Sequence, residues 1–292
     1  MIAVQLKGGL GNQMFQYAAA RRLAYHNNTR LGIDLTWFDL SKFVDAPREY
    51  ELGCFNIVEN FVLPNKDFVL ADDSTSVKTK IYTLTKGRFK PRLKPFIENS
   101  GLFDKAVMSL PDNTFLDGFW QSEKYFSDAR NILLKEFSFK KAAGGKNRAA
   151  LDKIKGCNSV SLHVRRGDYV SNKQTSAKHG VMGLDYYKRA VELINKRVRD
   201  PAFFVFSDDP AWCKANLKLL AGATYIDFNK AGSDDLRLMM NCRHNIIANS
   251  SFSWWGAWLN QNDDKIVIGP KKWFNDSSIN TRDVLPSSWL KI

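Results

Sequence analysis

Residues 159 to 170 read Ser-Val-Ser-Leu-His-Val-Arg-Arg-Gly-Asp-Tyr-Val, an apolar strand that runs straight into two adjacent arginines and an acid. Arginine is permanently charged and offers a planar fork of donors that matches phosphate oxygens in pairs. A strand end presenting His163, Arg165, Arg166 and Asp168 is therefore suited to gripping a phosphorylated leaving group, with Asp168 placed to hold one guanidinium in its working orientation. A solvated charge cluster in a surface turn competes as an explanation of that stretch alone. The segments around it decide.

Downstream, Tyr187, Ala190, Val191, Ile194 and Val198 recur at helical spacing, and residues 202 to 206 are continuously apolar. The turn Ser207-Asp-Asp-Pro210 has the capping chemistry of a helix start. Stretches 160–164, 202–206, 224–226, 245–248 and 265–268 make five short strands with helical segments between them, the pattern of a parallel sheet with right-handed crossovers. The Arg-Arg-Gly-Asp turn, the Ser-Asp-Asp-Pro turn, of which Asp208 is the ligand-side candidate, and Asn249-Ser-Ser-Phe-Ser253 each follow the carboxyl end of a strand. Open α/β sheets bind ligands at that edge.

Upstream, Ile2, Val4 and Leu6 alternate as a strand, and Gly8-Gly-Leu-Gly11 opens a helix on which Met14, Phe15, Ala18, Ala19 and Leu23 keep helical spacing. Residues 31–35 read as the next strand, with Asp34 near its end. The middle, broken by Pro47, Pro64, Pro91, Pro95 and Pro111, reads as the irregular remainder of this half. Residues 140–148, Lys-Lys-Ala-Ala-Gly-Gly-Lys-Asn-Arg, are the linker candidate. The expected fold is α/β: two Rossmann-like domains, 1–148 and 149–292, facing each other across a cleft. The 292 residues fit two domains of about 150 each.

Gly9-Leu-Gly11 imitates a dinucleotide fingerprint and Asp34 mimics its ribose-binding acid, but Met14 stands where a third glycine is needed, so a nicotinamide enzyme is a poor fit. The turn still lets backbone approach a bound group, which makes Gly9, Gly11, Asn12 and Gln13 binding candidates. Ser250, Ser251 and Ser253 cluster at a helix start, where free N–H groups and the helix dipole favour an anion. Phe252 is expected beside the ligand, and Trp254, Trp255 and Trp258 in the core. Asp234 and Asp235 open another helix; one carboxylate there can accept from both N1–H and the exocyclic amine of guanine, while N-capping competes as a role, chiefly for Asp234. No Asp-x-Asp occurs, so an enzyme of diphosphate sugars built on this chain would work without a divalent metal, using arginine cations. His163 is placed on the site side by strand alternation, though a lone histidine commonly has a structural role.

A net charge of +13 favours anionic partners and leaves nucleic acid, phosphorylated ligands and an acidic membrane surface open. The acid-free basic run at 78–94 reads as a solvated face, with anionic lipid headgroups as the other option; a second run occupies 140–155. Cys54, Cys157, Cys213 and Cys242 are too dispersed for a zinc site or a disulfide framework, which fits a reducing compartment. The N-terminus is too short and polar for a signal peptide, and no apolar run approaches the roughly 18 residues of a membrane helix. A soluble or at most peripheral protein is expected. Gly-x-Ser-x-Gly and Walker motifs are missing from the sequence, which disfavours a hydrolase or an ATPase.

Four motifs in order, Gly8-Gly-Leu-Gly-Asn-Gln-Met-Phe-Gln-Tyr17, His163-Val-Arg-Arg-Gly-Asp-Tyr169, Ser207-Asp-Asp-Pro-Ala-Trp212 and Asn249-Ser-Ser-Phe-Ser-Trp-Trp-Gly-Ala-Trp-Leu-Asn260, resemble the bacterial α-1,2-fucosyltransferases of glycosyltransferase family 11. The resemblance implies a GT-B fold with GDP-β-L-fucose held mainly by the C-terminal domain. It implies inverting, metal-independent transfer to the 2-hydroxyl of a terminal galactose in a β-galactoside acceptor such as lactose or a lipid-linked oligosaccharide. By position, Arg165 resembles the diphosphate-holding arginine, with His163 and Asp168 its neighbours. Asp235 resembles a guanine-binding acid, and Ser250, Ser251 and Phe252 a phosphate-contacting loop. Arg165 and Asp168 are thus the catalytic candidates, and no cofactor is expected. The resemblance also implies work on bacterial surface polysaccharide such as O-antigen, in the cytoplasm or peripherally at the inner face of the membrane. The general base is left among Asp168, Asp34, Asp117 and Glu123, while Trp120 and Gln121 stand between acceptor contact and core packing. Rivals are fucosyl transfer with another linkage (α-1,6 or protein O-linked), a silent GDP-sugar-binding protein, and a basic nucleic-acid-binding protein.

Overall fold

The computed structural model describes residues 1–41, 47–62, 93–167, 170, 180–218, 222–276 and 278–292. They form two units, Met1–Phe137 and Ser138–Ile292. Asp168, His179 and the basic run at 78–94, except its last residues from 93 on, lie outside the described residues.

The first unit contains β1 (Ile2–Gln5), α1 (Leu10–His26), β2 (Leu31–Asp34), α2 (Thr36–Ser41), β3 (Lys94–Ile97), β4 (Thr114–Asp117) and α3 (Arg130–Glu136). Its strands pair in parallel in the order β2-β1-β4-β3. α1 is buried around most of its circumference, so even Gln13, Gln16 and Arg22 are inside. Most of its buried polar groups find partners: Arg22 bonds Asp128 at 2.6 Å and the Met108 carbonyl at 2.6 Å, Glu136 accepts from Tyr17 Oη at 2.6 Å and Arg21 Nε at 2.8 Å, and Gln16 Oε1 accepts from Lys7 N at 2.9 Å, while Gln16 Nε2 has no partner among the described residues. The stretch read as irregular holds two strands, a correction to the sequence reading. β3 lies at the sheet edge, where Pro95 need not donate on its open side, and Phe115 and Leu116 of β4 fill the interior between β1 and β3.

The second unit contains α4 (Gly145–Lys155), β5 (Asn158–Val164), α5 (Leu184–Asn195), β6 (Pro201–Ser207), α6 (Pro210–Asn216), β7 (Thr224–Ile226), α7 (Gly232–Asn241), β8 (His244–Ile246), α8 (Ser251–Leu259), β9 (Val267–Gly269) and β10 (Leu290–Lys291). Six strands pair in parallel in the order β10-β9-β8-β5-β6-β7. Helices cover both faces. Along β6, Val205 joins Tyr187, Val191 and Ile194 of α5, while Phe204 and Phe206 join Ile154 of α4 and Leu238 and Met239 of α7. Burial on both faces explains why these strands read as continuous apolar runs. Residues 145–148, expected in a linker, form the first turn of α4.

The α/β class with two parallel-sheet units is borne out. In each sheet the chain runs outward from its first strand, then returns to that strand's other side. The strand order therefore reverses between β1 and β4 in the first unit and between β5 and β8 in the second. Ligands of open α/β sheets bind at the carboxyl edge of such a switch point.

Candidate functional site

At the switch point of the second sheet, the parallel registers Val164↔Ser207 and Leu162↔Ile246 bring the ends of β5, β6 and β8 level. The arginine turn, the Ser-Asp-Asp-Pro turn and the serine loop thus share one edge. Asp208 clamps the arginine turn twice: Oδ2 lies 3.0 Å from Arg165 Nη1, and Oδ1 accepts from the Arg166 backbone N–H at 2.8 Å. Gly167 is required for this approach, because a Cβ there would sit 2.6 Å from Asp208 Oδ2. Arg166 is held separately. Its Nε is 3.3 Å from Asp209 Oδ2 and its guanidinium stacks 3.9 Å from the Trp212 ring, while Asp209 also caps α6 by accepting from Trp212 N at 3.0 Å. Asp208 thus orients the Arg165 guanidinium; Asp168, to which the sequence reading gave that role, lies outside the described residues.

His163 is buried, and its ring centre lies 5.5 Å from that of Phe252. Burial drives its pKa down to about 4, against a raising influence of Asp208 and with a lowering one from Arg165. The imidazole is therefore neutral at pH 7, and its Nδ1 is buried with no hydrogen-bond partner among the described residues. Ser250 occupies the N-cap position of α8 without making a side-chain cap bond. Ser253 turns inward, donating to the Ser250 carbonyl at 3.2 Å, and Trp254, Trp255 and Trp258 are core, as expected. Ser250 and Ser251 are left at the mouth of the helix with its first N–H groups.

The N-cap of α7 is Ala231, so neither Asp234 nor Asp235 caps it. Asp235 Oδ1 instead accepts from Asn229 Nδ2 at 2.8 Å, and Asn229 Oδ1 accepts from Asn147 Nδ2 at 2.8 Å. Burial raises the Asp235 pKa to about 6; the Asn229 bond lowers it and nearby Asp234 raises it. Phe252 also reaches this end of α7, its ring 3.5 Å from where a Cβ on Gly232 would stand. Sequence reasoning missed Asn229 and Asn147: one follows β7 with no motif around it, and the other sat in the supposed linker.

At the switch point of the first sheet, Gly8 has φ +77, and a Cβ there would come 2.6 Å from Asn12 Nδ2. Gly9 is the N-cap of α1 and Gly11 is buried within its first turn. Gln13 is buried and engaged by main chain: Nε2 donates to Gly8 O at 2.9 Å and Glu49 O at 2.8 Å, and Oε1 accepts from Glu51 N at 2.9 Å. It staples the glycine turn to residues 49–51. Asn12 Oδ1 accepts from Gln121 Nε2 at 2.8 Å, and Lys7 Nζ pairs with Asp117 Oδ1 at 2.5 Å. Asp34, a base candidate, is fully buried and holds the start of α2 by accepting from Thr36 N at 2.9 Å and Thr36 Oγ1 at 3.2 Å. Burial raises its pKa. Glu123 opens a single 3-10 turn capped by Ser122.

Residues 93–292 match the family model described as "Glycosyl transferase family 11". The chain belongs to glycosyl transferase family 11. It is 33% identical over 298 residues to an Escherichia coli "Alpha-1,2-colitosyltransferase", covering 100% of this chain and 99% of that one. It is 34% identical over 315 residues to the Escherichia coli "O-antigen biosynthesis glycosyltransferase WbnK", covering 98% and 99%. A "Galactoside 2-alpha-L-fucosyltransferase Sec1" from Mus musculus is 30% identical over 272 residues, covering 90% of this chain and 65% of its own.

In this family 11 glycosyltransferase the second unit offers an anion site built from two independent sources of positive charge. One is the Asp208-oriented Arg165 guanidinium and the other is the start of α8. Neutral His163 and the Phe252 ring separate that site from Asp235, so an elongated ligand with a charged end and a hydrogen-bonding ring matches the arrangement. Among the described residues, no group of three or more His, Cys, Asp or Glu could hold a metal ion, and no helix is long and apolar enough to cross a membrane. The four cysteines are unbridged.

Proposed function

We propose that the protein transfers L-fucose from GDP-β-L-fucose to the 2-hydroxyl of a terminal galactose, with inversion and without a divalent metal, in the assembly of O-antigen-type polysaccharide on the cytoplasmic side of a bacterial membrane. The observation that carries the reading is the Arg165–Asp208 clamp at the β5/β8 switch point, side by side with the α8 helix start. Glycosyl transfer from a sugar nucleotide builds negative charge on the leaving diphosphate. Donors that bind this charge more strongly in the transition state than in the ground state accelerate the step. Arg165 supplies such a donor and Asp208 prevents its reorientation. The first N–H groups of α8, with Ser250 and Ser251, take a second face of the diphosphate. Asp235 accepts from guanine N1–H and the exocyclic amine, and Asn229 and Asn147 fix its carboxylate plane.

A second donor is favoured by one observation, the full-length similarity to a colitosyltransferase. Colitose is fucose without its 3-hydroxyl, so the two donors share the GDP contacts and differ only at the sugar. Calorimetry with GDP-fucose, GDP-mannose and UDP-galactose tests the donor assignment. GDP-fucose binding in EDTA, with UDP-galactose at least about a hundredfold weaker, is expected; equal binding of the uridine sugar would reject the guanine role of Asp235.

A further inference from the structure

The carboxyl edge of the first sheet carries a second constructed loop that the donor site does not use. Trp120, a bulky buried residue, has φ +54, a left-handed conformation that the surroundings must impose. Glu98, at the end of β3, imposes it. Its carboxylate accepts from the backbone N–H of Phe119 at 2.6 Å and of Trp120 at 3.1 Å. Gly118 permits this approach, since a Cβ there would lie 2.4 Å from that of Glu98. The consequence is that the Trp120 ring turns into the core against Tyr125, while the preceding Phe119 is thrust outward and stands 41% exposed. Beside it, two polar pairs bridge the β1/β4 switch point, Lys7 with Asp117 and Asn12 with Gln121, and Lys7 Nζ lies over one face of the Phe119 ring, 5.1 Å from its centre. An exposed aromatic ring rimmed by convergent hydrogen-bonding side chains at a switch point is the chemistry of a carbohydrate subsite.

We propose that this edge is the acceptor subsite. The face of the Phe119 ring opposite the Lys7 ammonium is a platform for the apolar face of a pyranose, Asp117, Asn12 and Gln121 are its polar rim, and Glu98 is the positioning residue that presents the ring. A β-galactoside suits the platform, because its axial 4-hydroxyl leaves the C3, C4 and C5 hydrogens together on one face. This assignment rests on the galactoside reading of the acceptor given above.

The test is saturation-transfer NMR with methyl β-galactoside on the GDP-loaded protein, together with steady-state kinetics on lactose. Saturation is expected at the galactoside H3, H4 and H5, lost in Phe119→Ala and kept in Phe119→Tyr. The acceptor KM should rise about tenfold in Phe119→Ala while the donor KM and GDP affinity hold. Glu98→Gln, which replaces one accepting oxygen by an amide, should raise the acceptor KM without changing GDP affinity. An unchanged acceptor signal in Phe119→Ala, or an acceptor KM within about twofold of the parent, would overturn the subsite. So would the lack of any galactoside signal in the parent protein. Galactoside binding through Phe119 without fucosyl transfer would uphold the subsite and reject the transfer reading.

Discussion

Because burial lifts the Asp235 carboxyl to about 6, donor affinity should itself titrate within an accessible pH range. Only the ionised carboxylate can accept from both guanine N–H groups, so binding is strong above the midpoint and is lost as pH falls through about 6. Well below the midpoint each pH unit costs about tenfold in Kd, or about 1.4 kcal/mol. GDP-fucose is the ligand to use, since both of its phosphates are esterified and keep their charge, whereas the terminal phosphate of GDP itself titrates near pH 6. Calorimetry between pH 5 and 8 should show a plateau at the alkaline end and progressive weakening below. Asn229→Ala should move the midpoint upward, because the 2.8 Å bond from Asn229 favours the ionised form. Asp235→Asn removes a charged acceptor shared by two donors; at pH 8 it should cost about 3 kcal/mol, roughly a hundredfold in Kd, and flatten the profile. A flat parent profile, or Asp235→Asn binding within about threefold of the parent, would refute the guanine role.

Four further outcomes follow from the same geometry. Arg165→Ala should lower kcat by at least about a hundredfold, the loss of roughly 3 to 4 kcal/mol typical of an aimed charge-stabilising donor. Arg166→Ala, which breaks the Asp209 and Trp212 contacts instead, should show mainly as a lowered Tm. Gly167→Ala should push Asp208 from the turn, since the added Cβ would stand 2.6 Å from its Oδ2, and should reduce kcat by a route that Asp208→Asn reproduces. His163, whose pKa falls to about 4 from 6.5, contributes stability that is complete above pH 6.5 and is lost as pH falls toward 4. Thermal denaturation of the parent and His163→Gln across that window should show a steeper decline for the parent. Comparing the two cancels the opposite contribution of Asp235.

Much of the second unit was legible because β5 and β6 are covered on both faces and so appear as unbroken apolar runs ending in polar turns. β3 was not legible: Lys94, Pro95 and Ile97 of this edge strand are exposed, leaving no alternation to read. The same contrast holds within the site. Arg165, Ser250, Ser251 and Phe252 could be found because each lies in a contiguous motif. The groups that orient the site come from distant segments. Asp208 bonds a turn 42 residues away, Asn229 is held from Asn147 at a separation of 82, and Glu98 supports Phe119 across 21. Local spacing carries no record of such pairings. Asp208, on the adjacent strand end, contacts Arg165 from 43 positions along the chain, a pairing that spacing within the Arg-Arg-Gly-Asp motif does not record.

The most direct test of the central claim is to incubate the purified protein with GDP-fucose and lactose in EDTA and to determine the linkage of the trisaccharide by NMR. The account predicts fucose joined in α configuration to the 2-hydroxyl of galactose, formed without added metal and with stoichiometric GDP release. A product linked through any other hydroxyl, or bound GDP-fucose that is never transferred to a galactoside with or without metal, would contradict it.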